Sequence, residues 1–307
     1  MAANTDEHGD QREGGAGDGG RTGGVGAPTG DMGAYTDIIV RTEDPVCVIT
    51  LNRPEKLNAF TYRTLAELRV AVEAAAADPA VVGIIITGAG RGFSAGLDAD
   101  TLAAVTGAAG GGGGRAAAPD EAAQLEAGEL PGLFTYLLSV PKPVIAAVNG
   151  VAAGGGLVLS SLCDVRIAST EASFTTVFLK RGLVAEHGTS WVLPRALGPG
   201  RALDLLWTSR RIGAEEALAA GMVEHVVPAG ELVERAVQYV REIAASASPA
   251  AIAATKRMVY DHLGLGYPDA LRDADRAQWE AIEGPDAAEG ARALLEKRAP
   301  AFRRLGG

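Results

Sequence analysis

The run KPVIAAVNGVAAGGGLVLSSLCD, residues 142–164, constrains the fold more than any other stretch of the chain. Residues 143–148 are short, apolar and partly β-branched; Asn149 and Gly150 break them, and Gly154, Gly155 and Gly156 lead into an apolar run of helical length over 157–163. The order is strand, turn, buried helix. Glycines lack Cβ atoms and let a ligand approach the backbone, while the unpaired N–H groups of a helix's first turn favour negative charge. Such a turn serves either as an anion or oxyanion site or as a packing device. Nucleotide phosphate is disfavoured, because no Lys-Ser or Lys-Thr pair follows the glycines and GVAAGGG lacks the G-x-G-x-x-G spacing.

The other residues narrow the class of protein. A chain of 307 residues with 47% hydrophobic side chains can bury a large core, and a formal net charge of -10 argues against nucleic acid or an anionic membrane as partner. Residues 1–33 are rich in Gly, Asp, Glu and Thr and nearly free of large apolar side chains, so a disordered tail is expected there. Cys47 and Cys163 lie in apolar segments without metal or redox spacing, which fits buried free thiols in a reducing compartment. Neither a secretory h-region nor a bilayer-spanning apolar run is present, so the expected location is cytoplasmic. Metal-ligand clusters and a G-x-S-x-G nucleophile turn are also missing, and no metal or separate cofactor is expected.

Periodicity and turn signals divide the chain. Strands are predicted over 35–41 and 45–51 as a hairpin, over 81–87, 143–148 and 165–168, and over 172–176. A helix over 61–77 carries Leu65, Leu68 and Val72 at helical spacing and stops at Asp78-Pro79; another is predicted over 121–139. Between them, residues 101–120 with Gly110–Gly114 read as a mobile loop, either a surface insertion or a lid. Helices dominate the remainder, over 201–209, 214–220, 230–247, 249–263 and 267–283. The chain therefore divides into a tail (1–33), an α/β core (34–225) and a C-terminal helical subdomain (226–307) suited to oligomerisation.

LNRPEKLNAF, VVGIIITGAGRGFSAGLD, KPVIAAVNGVAAGGG, CDVRIA, WVLPRALG, GAEEALAAGMVEHVVP and EGARALLEKRAPAF occur in that order, and together they resemble the crotonase superfamily, the enoyl-CoA hydratase/isomerase family. The resemblance implies an α/β fold built as a crotonase-like spiral of ββα repeats, with a C-terminal helical subdomain that packs in homotrimers or dimers of trimers. It implies an acyl-CoA thioester as substrate, coenzyme A entering as part of that substrate. The backbone N–H groups of Leu97 and Gly155 match the pair that binds the thioester oxygen. Lys56, Leu57, Ala59, Ser94 and Ala95 match positions that grip the CoA, with Lys297 reaching it from a neighbouring subunit.

The departures from the family pattern carry as much information. Two glutamates of typical hydratases align here with Val158 and Phe178, neither of which can move a proton. A carboxylate does occur at a third position used within the family, Glu186, with His187 beside it as a second candidate. One carboxylate facing an enolate-stabilising pocket suffices to move a proton between carbons, so a double-bond shift is expected. The alternatives are a hydratase or a C–C or thioester-cleaving enzyme that aims water with Glu186 or His187, and a non-catalytic acyl-CoA-binding or assembly module.

Overall fold

The apolar runs at 83–88 and 144–148 become parallel neighbours at the centre of a sheet, buried on both faces. The structure, a computed structural model, describes residues 35–108, 110 and 130–306. In the larger sheet the order is β1 (Ile38–Glu43), β2 (Val46–Leu51), β3 (Gly83–Gly88), β5 (Val144–Val148), β7 (Val165–Ser169) and β10 (His225–Val227). Only the β1–β2 hairpin is antiparallel; the other pairs run parallel. Strand alternation sends Ile84, Ile86, Val144, Ala146 and Val148 into one core and Ile85, Ile145 and Ala147 into another. Because both faces are covered, the strands read as continuous apolar runs rather than as alternating ones.

A second sheet, β4 (Gly92–Ser94), β6 (Val151–Ala153), β8 (Ser173–Thr175) and β9 (Ile212–Gly213), takes the second strand of each pair. Thus β3–β4, β5–β6 and β7–β8 each give one strand to either sheet and then a helical segment, which is the ββα spiral the resemblance implied. Helix α2 (Ala99–Thr106) follows β4 and α3 (Gly155–Leu162) follows β6; after β8 come a 3-10 turn (Leu179–Arg181) and α4 (Thr189–Leu197).

Helix α1 (Tyr62–Ala77) begins at Thr61, whose side chain accepts from Thr64 N–H in a capping box, and buries Leu68, Ala71, Val72 and Ala75 against the sheet. At its end lies Lys142, only 2% exposed, whose ammonium donates to the Ala75 and Asp78 carbonyls at 3.0 and 2.6 Å. Burial pushes its pKa down, and the carbonyls of the helix terminus satisfy it. The opposite face of the sheet is covered by α7 (Leu232–Ser246) through Leu232, Ala236 and Val240. Helices α5 (Pro199–Thr208), α6 (Ala214–Ala220), α8 (Pro249–His262), α9 (Tyr267–Glu283) and α10 (Pro285–Glu296) complete the described residues. Cys47 and Cys163 are both free and buried, and burial pushes the Cys163 thiol up to about 12.

Three sequence expectations need correction or restriction. Residues 101–106 of the expected loop belong instead to α2 (Ala99–Thr106), because Asp98 caps its start by accepting from Asp100 N–H and Gly107, at φ +75°, closes its end. Within the helix expected over 121–139, the described part holds a short 3-10 helix, Thr135–Ser139, ahead of Val140-Pro141. The tail at 1–33 and the Gly110–Gly114 tract, apart from Gly110, lie outside the described residues. Helix α10 was not anticipated, although Gly284-Pro285 is a proper start signal with Pro at the first helical position.

Candidate active site

Two glycine-bearing turns meet because their strands are paired. Strands β4 and β6 lie parallel, Gly92 opposite Val151 and Ser94 opposite Ala152, so the turn after each strand emerges beside the other. A Cβ on Gly96 would stand 2.7 Å from Ala153 O and 2.9 Å from Gly155 N, and one on Gly156 only 2.2 Å from Ser94 O. Gly96 has φ +88° and Gly154 φ +50°, in the region where glycine carries no steric cost. The sequence folds this way locally because no other residue fits the contact.

Gly155 opens α3, so its N–H has no intrahelical partner. Leu97 lies on a loop whose flanking groups are taken: Phe60 N–H donates to Gly96 O at 2.7 Å and Asp98 N–H to Phe60 O at 2.9 Å. Neither the Leu97 nor the Gly155 N–H donates to any described residue. Phe60 joins the two, since its backbone clamps the Leu97 loop and its ring lies 3.4–3.5 Å from the position of a Cβ on Gly155. Behind it stands Phe134, its ring centroid 5.3 Å away, and both rings are fully buried. Sequence reasoning missed both aromatic residues; Phe60, ending the LNRPEKLNAF motif, was the legible one.

The first loop is stitched to the Ser94-Ala95-Gly96 turn. Ser94 Oγ donates to Asn58 O at 2.8 Å and accepts from Gly96 N–H at 3.2 Å, and Ala95 N–H donates to Leu57 O at 2.9 Å. Asn58, 1% exposed, spends its side-chain amide on Ala89 O and Gly92 O and accepts from Arg53 N–H. Arg53 in turn holds Ala59 O at 2.6 Å and pairs with Asp98 at 3.4 Å. Leu57, Ala59, Ser94 and Ala95 are therefore brought together, with Lys56 exposed at the end of the 3-10 turn Pro54–Lys56. Lys297 is exposed at the end of α10, which packs against α9.

Val158 sits one helical turn into α3, its N–H on Gly154 O at 3.0 Å, and is 1% exposed. Phe178, 3% exposed, places a ring carbon 3.9 Å from the position of a Cβ on Gly154. The preceding Val177 takes φ +49°, an uncommon conformation for a β-branched residue. Glu186 is half-buried in the loop between Phe178 and α4, and that loop is held at both ends. Leu183 N–H donates to Phe178 O, and Thr189 donates to Glu186 O through its N–H at 3.1 Å and its hydroxyl at 2.7 Å. Helix α4 then packs against α3. The Glu186 carboxylate forms no ion pair or hydrogen bond with the described residues. His187, at φ +52° and half-buried, lies with its Cα 3.9 Å from the position of a Cβ on Gly132. No cluster of His, Cys, Asp and Glu among the described residues could hold a metal ion, and no described helix is long and apolar enough to cross a membrane.

Adjacent turns thus carry two backbone N–H groups without a described acceptor, that of Leu97 on a loop and that of Gly155 at a helix N-terminus, and the loop after Phe178 carries a carboxylate without a partner among the described residues. Comparison with known proteins points the same way. A family model described as enoyl-CoA hydratase/isomerase matches residues 41–304. A probable enoyl-CoA hydratase of Mycobacterium bovis is 35% identical over 271 residues, spanning 87% of this chain and 98% of that protein. The 1,2-epoxyphenylacetyl-CoA isomerase of Escherichia coli is 35% identical over 268 residues, spanning 86% and 97%. Among solved structures, the enoyl-CoA hydratase of Bacillus anthracis superposes with a TM-score of 0.78 at 32% identity, covering 89% of this chain and all of that one.

Proposed function

The chain belongs to the enoyl-CoA hydratase/isomerase family, and we propose that within it this enzyme shifts the double bond of an enoyl-CoA thioester. The observation that carries this reading is the apolar character of Val158 and Phe178, 1% and 3% exposed, together with Glu186 on the loop that follows Phe178, its carboxylate without a partner among the described residues. A wall of that kind offers one proton carrier and no second carboxylate at the two positions where hydratases of the family hold theirs.

The carboxylate of Glu186 takes a proton from C2 of a 3-enoyl thioester. The C–H electron pair spreads over C2 to C4 and the thioester oxygen, which the Leu97 and Gly155 N–H groups receive as it becomes an enolate. Preorganised donors of this kind are worth about 3–4 kcal/mol each to such a transition state. Glu186 then returns the proton to C4, leaving the double bond between C2 and C3. Atoms balance without water, and the carboxylate ends as it began. Lys56, with the Leu57–Ala59 and Ser94–Ala95 backbone, grips the CoA portion, and Lys297 supplies a further cation from a neighbouring subunit.

Offering 3-enoyl-CoA and 2-enoyl-CoA to the wild type and to Glu186→Gln tests the proposal. Interconversion of the two is expected, slowed about 100- to 10,000-fold in the variant at similar KM. An unimpaired variant removes Glu186 from the mechanism, and a product heavier by one water replaces isomerisation with hydration. The hydratase reading keeps one specific support, since the relative named a probable enoyl-CoA hydratase is as similar, at 35% identity, as the one named 1,2-epoxyphenylacetyl-CoA isomerase.

A further inference from the structure

Lys256 of α8 reaches out of the C-terminal helices into the core and uses all three of its donors there. Its ammonium bonds Asp164 Oδ2 at 2.7 Å, Leu137 O at 3.0 Å and Lys142 O at 3.1 Å. One turn along the same face, Tyr260 donates its hydroxyl to the other oxygen of Asp164 at 2.8 Å. Asp164 follows the last turn of α3, and it grips the start of β5 twice: its carboxylate accepts from Val144 N–H at 2.7 Å and its own N–H donates to Val144 O at 2.8 Å. The Lys256 and Asp164 side chains are only 8% and 16% exposed.

Apolar burial holds α8 only lightly, for Pro249 is its one buried residue, while Arg257 and His262 tie it to Asp273 of α9 rather than to the core. Two of the three acceptors, by contrast, belong to segments that connect to the oxyanion donors. Asp164 comes directly after Cys163, the C-cap of the eight-residue helix that Gly155 begins. Leu137 lies in the 3-10 helix Thr135–Ser139, which packs on α3 and directly follows Phe134, the ring behind Phe60. Burial pushes the pKa of Lys256 down, while the charge and hydrogen bond of Asp164 oppose that shift.

We propose that Lys256, with Tyr260, is a positioning residue: through Asp164 and Leu137 it fixes α3 and the Phe134 segment so that the Gly155 N–H is aimed at the thioester oxygen. Docking of α8 on the core is thereby linked to the competence of a site that α8 does not touch. This inference rests on the oxyanion role assigned to Gly155, and its test has an arm independent of turnover.

The comparison uses the full-length wild type, Lys256→Met, Tyr260→Phe and the double variant Lys256→Met with Asp164→Asn, which removes the carboxylate left unpaired by the first change. Each is followed by steady-state kinetics on 3-enoyl-CoA, thermal unfolding and amide hydrogen exchange. Expected in Lys256→Met is a fall in kcat of at least tenfold with KM within threefold, and faster exchange at amides of Leu157–Leu162 and Leu137. In the double variant the melting temperature recovers toward wild type while kcat stays low. A kcat that recovers with the melting temperature, or unchanged exchange in α3, overturns the positioning role. Should the wild type not turn over 3-enoyl-CoA, the isomerase reading fails, and the exchange arm alone then decides the linkage.

Discussion

At the scale of single residues, backbone approach decides what each glycine position tolerates. Gly156 faces Ser94 O at a distance no Cβ can share, so Gly156→Ala is expected to lose about 3 kcal/mol or more of stability, read as a lowered urea midpoint. Val177 presents the reverse case. At φ +49° it carries roughly 1–2 kcal/mol of left-handed strain, and such strain persists where surrounding structure fixes it for use. Val177→Gly relieves that strain against a smaller entropy cost, for a net gain of about 0.5–1 kcal/mol. Its ring neighbour Phe178 then loses a fixed backbone, so a higher melting temperature together with a lower kcat/KM is the expected pair of results. A melting temperature that falls would show that the conformation is unstrained.

At the scale of elements, helix ends do much of the positioning. Thr61 caps α1 while its hydroxyl also donates to Asp37, so Thr61→Ala is expected to cost about 1–2 kcal/mol in denaturant unfolding. The end of α10 adds an ion pair to its cap: Lys297 closes the helix in a left-handed conformation, and Arg298 turns back onto Glu289. Glu289 accepts two bonds from Arg298 and one from Ala301 N–H, which hold its carboxyl down to about 2 from an ordinary 4.5. A depressed carboxyl gives stability that is complete above its unfolded pKa and is lost as pH falls through the folded one. Protection of the Ala301 amide, its exchange rate relative to that of an unstructured amide at the same pH, should therefore hold above about pH 4.5 and fall progressively toward pH 2. Fast exchange at neutral pH would mean the contact does not order the segment.

At the scale of the whole molecule, the C-terminal helices leave large apolar side chains in solvent. Val259, Leu271, Trp279, Ile282, Leu294 and Leu295 are 50–83% exposed, with α8 to α10 each burying one residue fully. Apolar exposure of that extent marks an interface, and a homotrimer or dimer of trimers is the expected occupant. Sedimentation should find an assembly in the wild type and a smaller species in Leu294→Glu with Leu295→Glu. A wild-type monomer at micromolar concentration would remove this expectation.

Sequence by itself determined the strands at 81–87 and 143–148, the helix at 61–77 and the glycine turn at 154–156, because apolar runs, spacing and chain-breaking residues are local signals. It also supplied Leu97, Gly155 and Glu186 as candidates, through motif order. Short strands such as β6 and β9 escaped it, since two or three residues carry no period of their own and exist only by pairing with β4 and β8. Only the tertiary structure brought the Gly96 and Gly155 turns together, set Phe60 between the two donors and placed Lys256 on Asp164, 92 residues away in the chain. These are contacts between distant segments, fixed by strand pairing and close packing, and the chemistry of the site depends on them.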